Sequence, residues 1–169
     1  TYDPRGYRED ASGNLFAYDP DNRITESSGG NPKRCYGHDA DGNLVTIGEE
    51  GSSGCSDSVP IRTLVWDKVN RLTSVSEGSV LGSYVYDPFG RRIAKTASSV
   101  TTKFLWDGDQ LLAEYQGTTR TRRYEYAGGF SPARVQLGTA GMMEVHTDHL
   151  DTPRMLTDST KATFWQASY

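Results

Sequence analysis

An aromatic-like residue followed by Asp, or its echo, returns six times in this chain at a fixed spacing. Tyr18-Asp19 and His38-Asp39 form one train. Trp66-Asp67, Tyr86-Asp87, Trp106-Asp107 and Tyr126-Ala127 form a second, and within each train the step is 20 residues. A fixed step of this size means that one small unit is copied and stacked. The copies build structure, so chemistry is expected to lie outside them.

Two residues before each aromatic sit Phe16, Tyr36, Leu64, Tyr84, Phe104 and Tyr124. A step of two puts both side chains on one face of an extended strand. Aromatic residues suit that pleated, half-buried setting. After the Asp the chain turns, most clearly at Tyr86-Asp87-Pro88-Phe89-Gly90. The Asp carboxylate can accept from amides two residues on, Pro presets φ, and Gly or Asn tolerates positive φ at the exit. A second strand follows at Arg23-Ile24, Asn43-Leu44, Arg71-Leu72, Arg92-Ile93 and Leu111-Leu112. Strand, tight turn, strand is a β-hairpin.

A lone hairpin is marginal in water, so the copies must pair side by side. The expected fold is all-β, with stacked antiparallel hairpins. Rings such as Tyr84/Tyr86 and Phe104/Trp106 are expected to be buried between hairpins, and Asp19, Asp39, Asp67, Asp87 and Asp107 to fix the register. No stretch holds a helical period long enough for a substantial helix.

The composition agrees. Hydrophobic residues make up 35% of the 169, while Gly and Tyr number 18 and 10, as turn-rich aromatic strands require. A formal charge of −4 argues against a general nucleic-acid or acidic-membrane partner, and no direct membrane insertion is expected. No apolar run approaches the roughly 18 residues of a spanning helix. The chain starts inside a turn motif, Thr1-Tyr2-Asp3-Pro4-Arg5-Gly6, and stops at Trp165-Gln166-Ala167-Ser168-Tyr169. It therefore reads as truncated at both ends, an internal piece of a longer polypeptide.

From His38 to Trp66 the interval is 28 residues rather than 20. The excess around 48–60 has loop composition, Gly48-Glu49-Glu50-Gly51-Ser52-Ser53-Gly54-Cys55-Ser56-Asp57-Ser58. The two cysteines, Cys35 and Cys55, stand 20 residues apart. The spacing leaves open both a disulfide, which would indicate an oxidising compartment, and two unpaired thiols.

The repeated [Tyr/Trp]-Asp-x-x-[Gly/Asn]-[Arg/Asn]-[Leu/Ile] resembles the YD repeat of the RHS family. The segment Val145-His146-Thr147-Asp148-His149-Leu150-Asp151-Thr152-Pro153-Arg154 resembles the RHS-associated core region of bacterial polymorphic toxin-type proteins. Val145 stands where that pattern has Tyr, and Asp151 where it has Gly. His146, Asp148, Leu150, Thr152 and Pro153 are the core-motif residues. The resemblance implies YD-type repeats over 1–137 and a core-like segment over 138–169. It further implies a large spiralling β-sheet shell, secreted or at the bacterial cell surface, whose partners are the remainder of the shell, an enclosed C-terminal toxin and a secretion machinery. Within this segment it implies no enzyme activity and no cofactor. A surface adhesion or filament protein, with carbohydrate- or protein-binding loops, is the alternative.

Three local patterns invite chemistry. His146, Asp148 and His149 suggest a metal, but alternation on a strand turns His149 away from the other two. Asp39-Ala40-Asp41-Gly42-Asn43 hints at calcium, yet its Gly comes too early for an EF-hand frame. Arg120, Arg122 and Arg123 make a basic cluster spread over both faces of a strand. The expected roles are hydrogen bonding, turn formation and a solvated strand facing an acidic neighbour. Stacking of the aromatic ladder on glycans is less favoured than packing between hairpins.

Overall fold

The structure, a computed structural model, describes residues 15–27 and 32–167. The turn motif at Thr1–Gly6 and the last residues, Ser168 and Tyr169, lie outside them. Two compact units, Thr1–Tyr84 and Val85–Tyr169, divide the chain. Among the described residues there is no helix.

The first unit carries β1 (Phe16–Tyr18), β2 (Ile24–Ser27), β3 (Arg34–His38), β4 (Leu44–Gly51), β5 (Gly54–Trp66), β6 (Leu72–Glu77) and most of β7 (Ser79–Tyr86). The second carries β8 (Arg92–Ala97), β9 (Val100–Asp107), β10 (Gln110–Gln116), β11 (Thr119–Glu125), β12 (Arg134–Leu137), β13 (Met142–Thr147), β14 (Pro153–Thr157) and β15 (Thr163–Gln166). Within each unit strand order is chain order, and neighbouring strands pair antiparallel. This is the simplest meander: every connection is a hairpin, and each hairpin shares an edge with the next.

Alternation along the strands is visible in exposure. Leu64 and Trp66 are half-buried around Val65, which is 52% exposed. Phe104 and Trp106 flank Leu105, 49% exposed, in the same way. Burial of the rings differs from the sequence expectation. Among the described residues the buried apolar side chains are only Cys35, Ala113, Val135 and Met143. A single sheet has no second layer to cover its aromatic face, so each ring is shielded by its lateral neighbours alone.

The return strands carry a feature that the sequence does not announce. At five hairpins one extra residue bulges out six positions after the turn Asp: Thr25, Val45, Thr73, Arg154 and Phe164. Each bulge breaks the register directly after the turn and adds local twist to the strand. The five residues share no chemistry, because a bulge is a backbone event.

The segment 48–60, which reads as a loop, is instead a prolonged hairpin. β4 runs on to Gly51 and β5 begins at Gly54, with the chain turning on Ser52-Ser53. Two constraints hold it. A Cβ on Gly48 would sit 2.8 Å from the Val59 carbonyl, so only Gly allows the close approach of β5. The Asp57 carboxylate accepts from the Ser53 amide at 3.0 Å and the Ser52 hydroxyl at 3.0 Å, which closes the tip. Cys35 of β3 is disulfide-bonded to Cys55 of β5, with Cα atoms 5.5 Å apart. The bridge joins the two strands that flank β4.

Replacing both cysteines with Ala should destabilise the chain by about 2–4 kcal/mol, because the bond constrains the unfolded state. Urea unfolding with and without reductant measures this, and the double variant should lose its sensitivity to reductant.

Candidate functional site at the aspartate turns

One turn geometry recurs wherever the repeat Asp is followed by four residues before the return strand. At Asp67 the backbone amide of Asp67 donates to the Arg71 carbonyl at 2.9 Å, and the Asn70 amide donates to the Asp67 carbonyl at 3.0 Å. The Asp67 carboxylate then takes three more donors: the amides of Val69 and Arg71, both at 3.0 Å, and the Arg71 Nε at 2.7 Å. Asp19 is bracketed in the same way by Asp21, Asn22 and Arg23, and Asp87 by Phe89, Gly90 and Arg91. At Asp39 the fifth residue is Asn43, whose Nδ2 donates to Oδ2 at 3.0 Å in place of the guanidinium. The fourth residue of each turn sits at positive φ: Asn22 at 62°, Gly42 at 87°, Asn70 at 60° and Gly90 at 85°. Gly and Asn adopt that conformation at least cost.

The core-like segment contains the same turn twice. Asp148 accepts from the amides of Leu150 at 2.9 Å and Thr152 at 3.0 Å, and Asp151 holds φ 59°. Asp158 accepts from Thr160 at 2.8 Å and Ala162 at 3.1 Å, with Lys161 at φ 68°. Sequence reasoning missed both because the Gly or Asn marker is gone. The surviving signal was the Asp with an amide donor four residues on, a pattern too short to stand out. Asp107 departs from the set. Only Gly108-Asp109 separates it from Gln110, so it faces Gln110 across a two-residue hairpin and brackets no longer loop. The chain there is too short for the five-residue turn, and Gly108 supplies the positive φ at 52°.

Three of the repeat aromatics fasten a repeat to its predecessor within a unit. The indole of Trp66 donates to the Leu44 carbonyl at 2.8 Å, and that of Trp106 to the Arg92 carbonyl at 3.1 Å. Both acceptors lie five residues after the preceding turn Asp. The Tyr126 hydroxyl reaches the Leu111 carbonyl at 3.1 Å in the same sense. The turns also reach forward. Arg91 Nη1 donates to the Gly108 carbonyl, Asn43 Nδ2 to Asn70 Oδ1 at 2.9 Å, and Gln110 Nε2 to the Gly129 carbonyl at 3.0 Å. Tyr18, His38 and Tyr86 occupy the corresponding strand-end position in their own repeats.

The residues that suggested chemistry are otherwise engaged. His146 Nε2 shares a hydrogen bond with Thr157 Oγ1 at 2.9 Å, Leu150 is 73% exposed at a turn tip, and Pro153 opens β14. Among the described residues no group of three His, Cys, Asp or Glu side chains is placed to hold a metal ion. Arg122 pairs with Glu114 at 2.9 Å, Arg120 with Gln136 at 3.3 Å and Arg123 with Glu125 at 2.7 Å.

Electrostatics follow the hydrogen bonds. The carboxyls of Asp19, Asp67 and Asp148 are held below the ordinary 3.8, chiefly by backbone amides of Arg23, Arg71 and Leu150. Donors from the Asn43 and Thr160 side chains do most of this for Asp39 and Asp158. For Asp87 desolvation pulls upward most, and the hydrogen bonds from Arg91 outweigh it. A depressed folded value means that the stabilisation is complete above the unfolded value of 3.8 and fades as pH falls through the lower folded values. Melting temperature should therefore drop steeply only below about pH 4, and Asp87→Asn should flatten that drop. Trp66→Phe keeps an aromatic ring, though a smaller one, but loses the donor to Leu44, and should cost about 1 kcal/mol or more in urea unfolding.

No family model matches the chain. It is 30% identical over 174 residues to the toxin protein Tse5 of Pseudomonas aeruginosa, an alignment covering 78% of this chain and 12% of that protein. It is 25% identical over 183 residues to the double-stranded DNA deaminase toxin A of Burkholderia cenocepacia, covering 91% of this chain and 11% of that protein. The chain thus spans about an eighth or less of the curated relatives it matches. The crystal structure of TcdB2-TccC3-TEV shares its fold, with a TM-score of 0.55 at 16% identity over 92% of this chain and 9% of that one. With its fixed step and an aspartate turn that recurs at six hairpins, the chain resembles the RHS/YD-repeat family, and its homologues include these two toxins.

Proposed function

We propose that this chain is a stretch of wall in an RHS-type shell, one that encloses a C-terminal toxin or other cargo and takes part in its delivery in bacterial competition. The observation that carries this reading is the lateral fastening of hairpins: the turns satisfy their own polar groups, and those at Arg23, Asn43, Arg91 and Gln110 also tie to a neighbour. Such a sheet grows by adding copies and needs no core of its own. The two relatives named as toxins support a setting in toxin biology. The Cys35–Cys55 bond suits an oxidising surrounding, and with it a secreted or cell-surface location.

In this reading the apolar and aromatic repeat side chains from Phe16 to Tyr126 are wall residues, and 138–169 is the core-like stretch near the end of the shell, before the toxin. The segment supplies mechanical enclosure, while any toxin chemistry and any contact with a secretion machinery belong to other parts of the full protein. Electron microscopy of the full gene product tests this. It should show a hollow particle with density inside; separate solid globules without a hollow would overturn the proposal.

A further inference from the structure

The tip of the prolonged β4–β5 hairpin is attached to the first unit chiefly through its disulfide. Residues 51–58 read Gly-Ser-Ser-Gly-Cys-Ser-Asp-Ser, and Cys55 carries the only apolar side chain among them. Ser52, Ser53, Ser56 and Asp57 are exposed. Their side-chain hydrogen bonds run within the tip: Ser52 and Ser53 donate to the Asp57 carboxylate, and the Ser56 hydroxyl donates to the Ser53 carbonyl at 3.0 Å. These bonds shape the loop but do not tie it to another strand. The body of the hairpin is held differently. Thr46, Ile47, Gly48 and Glu49 of β4 pair with Thr63, Arg62, Pro60 and Val59 of β5. The Glu50 amide donates to the Lys33 carbonyl at 3.1 Å, so β4 is fixed beside β3 without help from the sulfurs.

The two sulfurs are unequally placed. Cys35 is 4% exposed in β3, whereas Cys55 is half-buried in the tip. An incoming thiolate therefore meets Cys55 Sγ, with Cys35 as the leaving group. Glu26 Oε2 lies 3.8 Å from Cys55 Sγ, and the other oxygen of that carboxylate is paired with Lys33 at 2.7 Å. Once reduced, Cys55 has only a weak thiol donor to offer Glu26 in place of a covalent bond.

We infer that the Cys35–Cys55 bond is a redox latch. In an oxidising surrounding it closes residues 51–58 against β3. A dithiol reductant opens the same residues to solvent and to proteolytic cleavage while the sheet stays folded. One thiolate of the dithiol attacks Cys55 Sγ, the bond to Cys35 Sγ breaks, and Cys35 leaves as a thiolate that takes a proton from water. The second thiol of the dithiol then displaces Cys55 from the mixed disulfide. Two electrons pass to the protein, and the dithiol ends as its own disulfide. Opening is local because a polar tip of this composition buries too little apolar surface to offset the entropy of ordering it. The latch works whether or not the sheet forms a closed wall.

Hydrogen exchange and limited digestion by proteinase K, run on the intact chain with and without dithiothreitol, test this. Labelling of free thiols confirms reduction. In the reduced chain, exchange and cleavage within 51–58 should speed up about tenfold, while exchange in β8 to β11 and the circular dichroism spectrum stay unchanged. Cys55→Ser should show the open behaviour without any reductant; if that variant does not fold, the reduced natural chain carries the test alone. Equal protection of 51–58 in the oxidised and reduced chains would overturn the inference. So would protection lost across the whole sheet, which would make the bond a global cross-link, or a bond that dithiothreitol leaves intact in the folded chain.

Discussion

The bracketed aspartate is the interaction on which the rest of this structure depends. One carboxylate, placed where a strand ends, accepts amide donors from two and four residues ahead and thereby closes a five-residue turn. A hairpin with so short a loop would otherwise leave several backbone amides seeking water. Satisfying them locally fixes the angle at which the chain returns and releases the turn from any need for a core. Arg or Asn in the fifth position adds a donor that touches the same carboxylate and, at Arg23 and Arg91, also the next turn.

That arrangement explains how a protein with so little buried apolar surface can be ordered. Stability is distributed along the sheet rather than concentrated in a centre. Trp66, Trp106 and Tyr126 donate backward through an indole or hydroxyl, and Arg23, Asn43, Arg91 and Gln110 donate forward from their turns, so the energetic unit is the pair of neighbours. Where the repeat spacing lengthens, at residues 48–60, a covalent bond supplements this fastening. The prolonged β4–β5 hairpin is held by the disulfide, by the Asp57 carboxylate at its tip and by the close approach at Gly48.

The two faces of the second unit have different uses. One face carries the Arg123–Glu125–Arg134–Glu144 ion-pair row, exposed and of small individual worth. The other is aromatic, with polar and cationic groups gathered where β8 to β11 run side by side. The Glu114 cluster is the polar centre of that face: a nearly buried carboxylate held by Arg122 and by Tyr124, whose hydroxyl is driven well above its usual range by burial and by that same carboxylate.

The strand–turn–strand unit, its step and its antiparallel pairing were legible in the amino-acid order, because turn chemistry and two-residue alternation are local properties. Tyr86-Asp87-Pro88-Phe89-Gly90 announces its own geometry. The Asp148 and Asp158 turns did not, since Asp151 and Lys161 adopt positive φ without the residue type that advertises it. The bulges at Thr25, Val45, Thr73, Arg154 and Phe164 were invisible for the same reason. Only the tertiary structure decided that the rings stay half-covered, that residues 48–60 continue two strands, and that Cys35 meets Cys55. Those outcomes depend on which strands lie side by side and in what register, and register is set by contacts between distant residues that no local pattern contains.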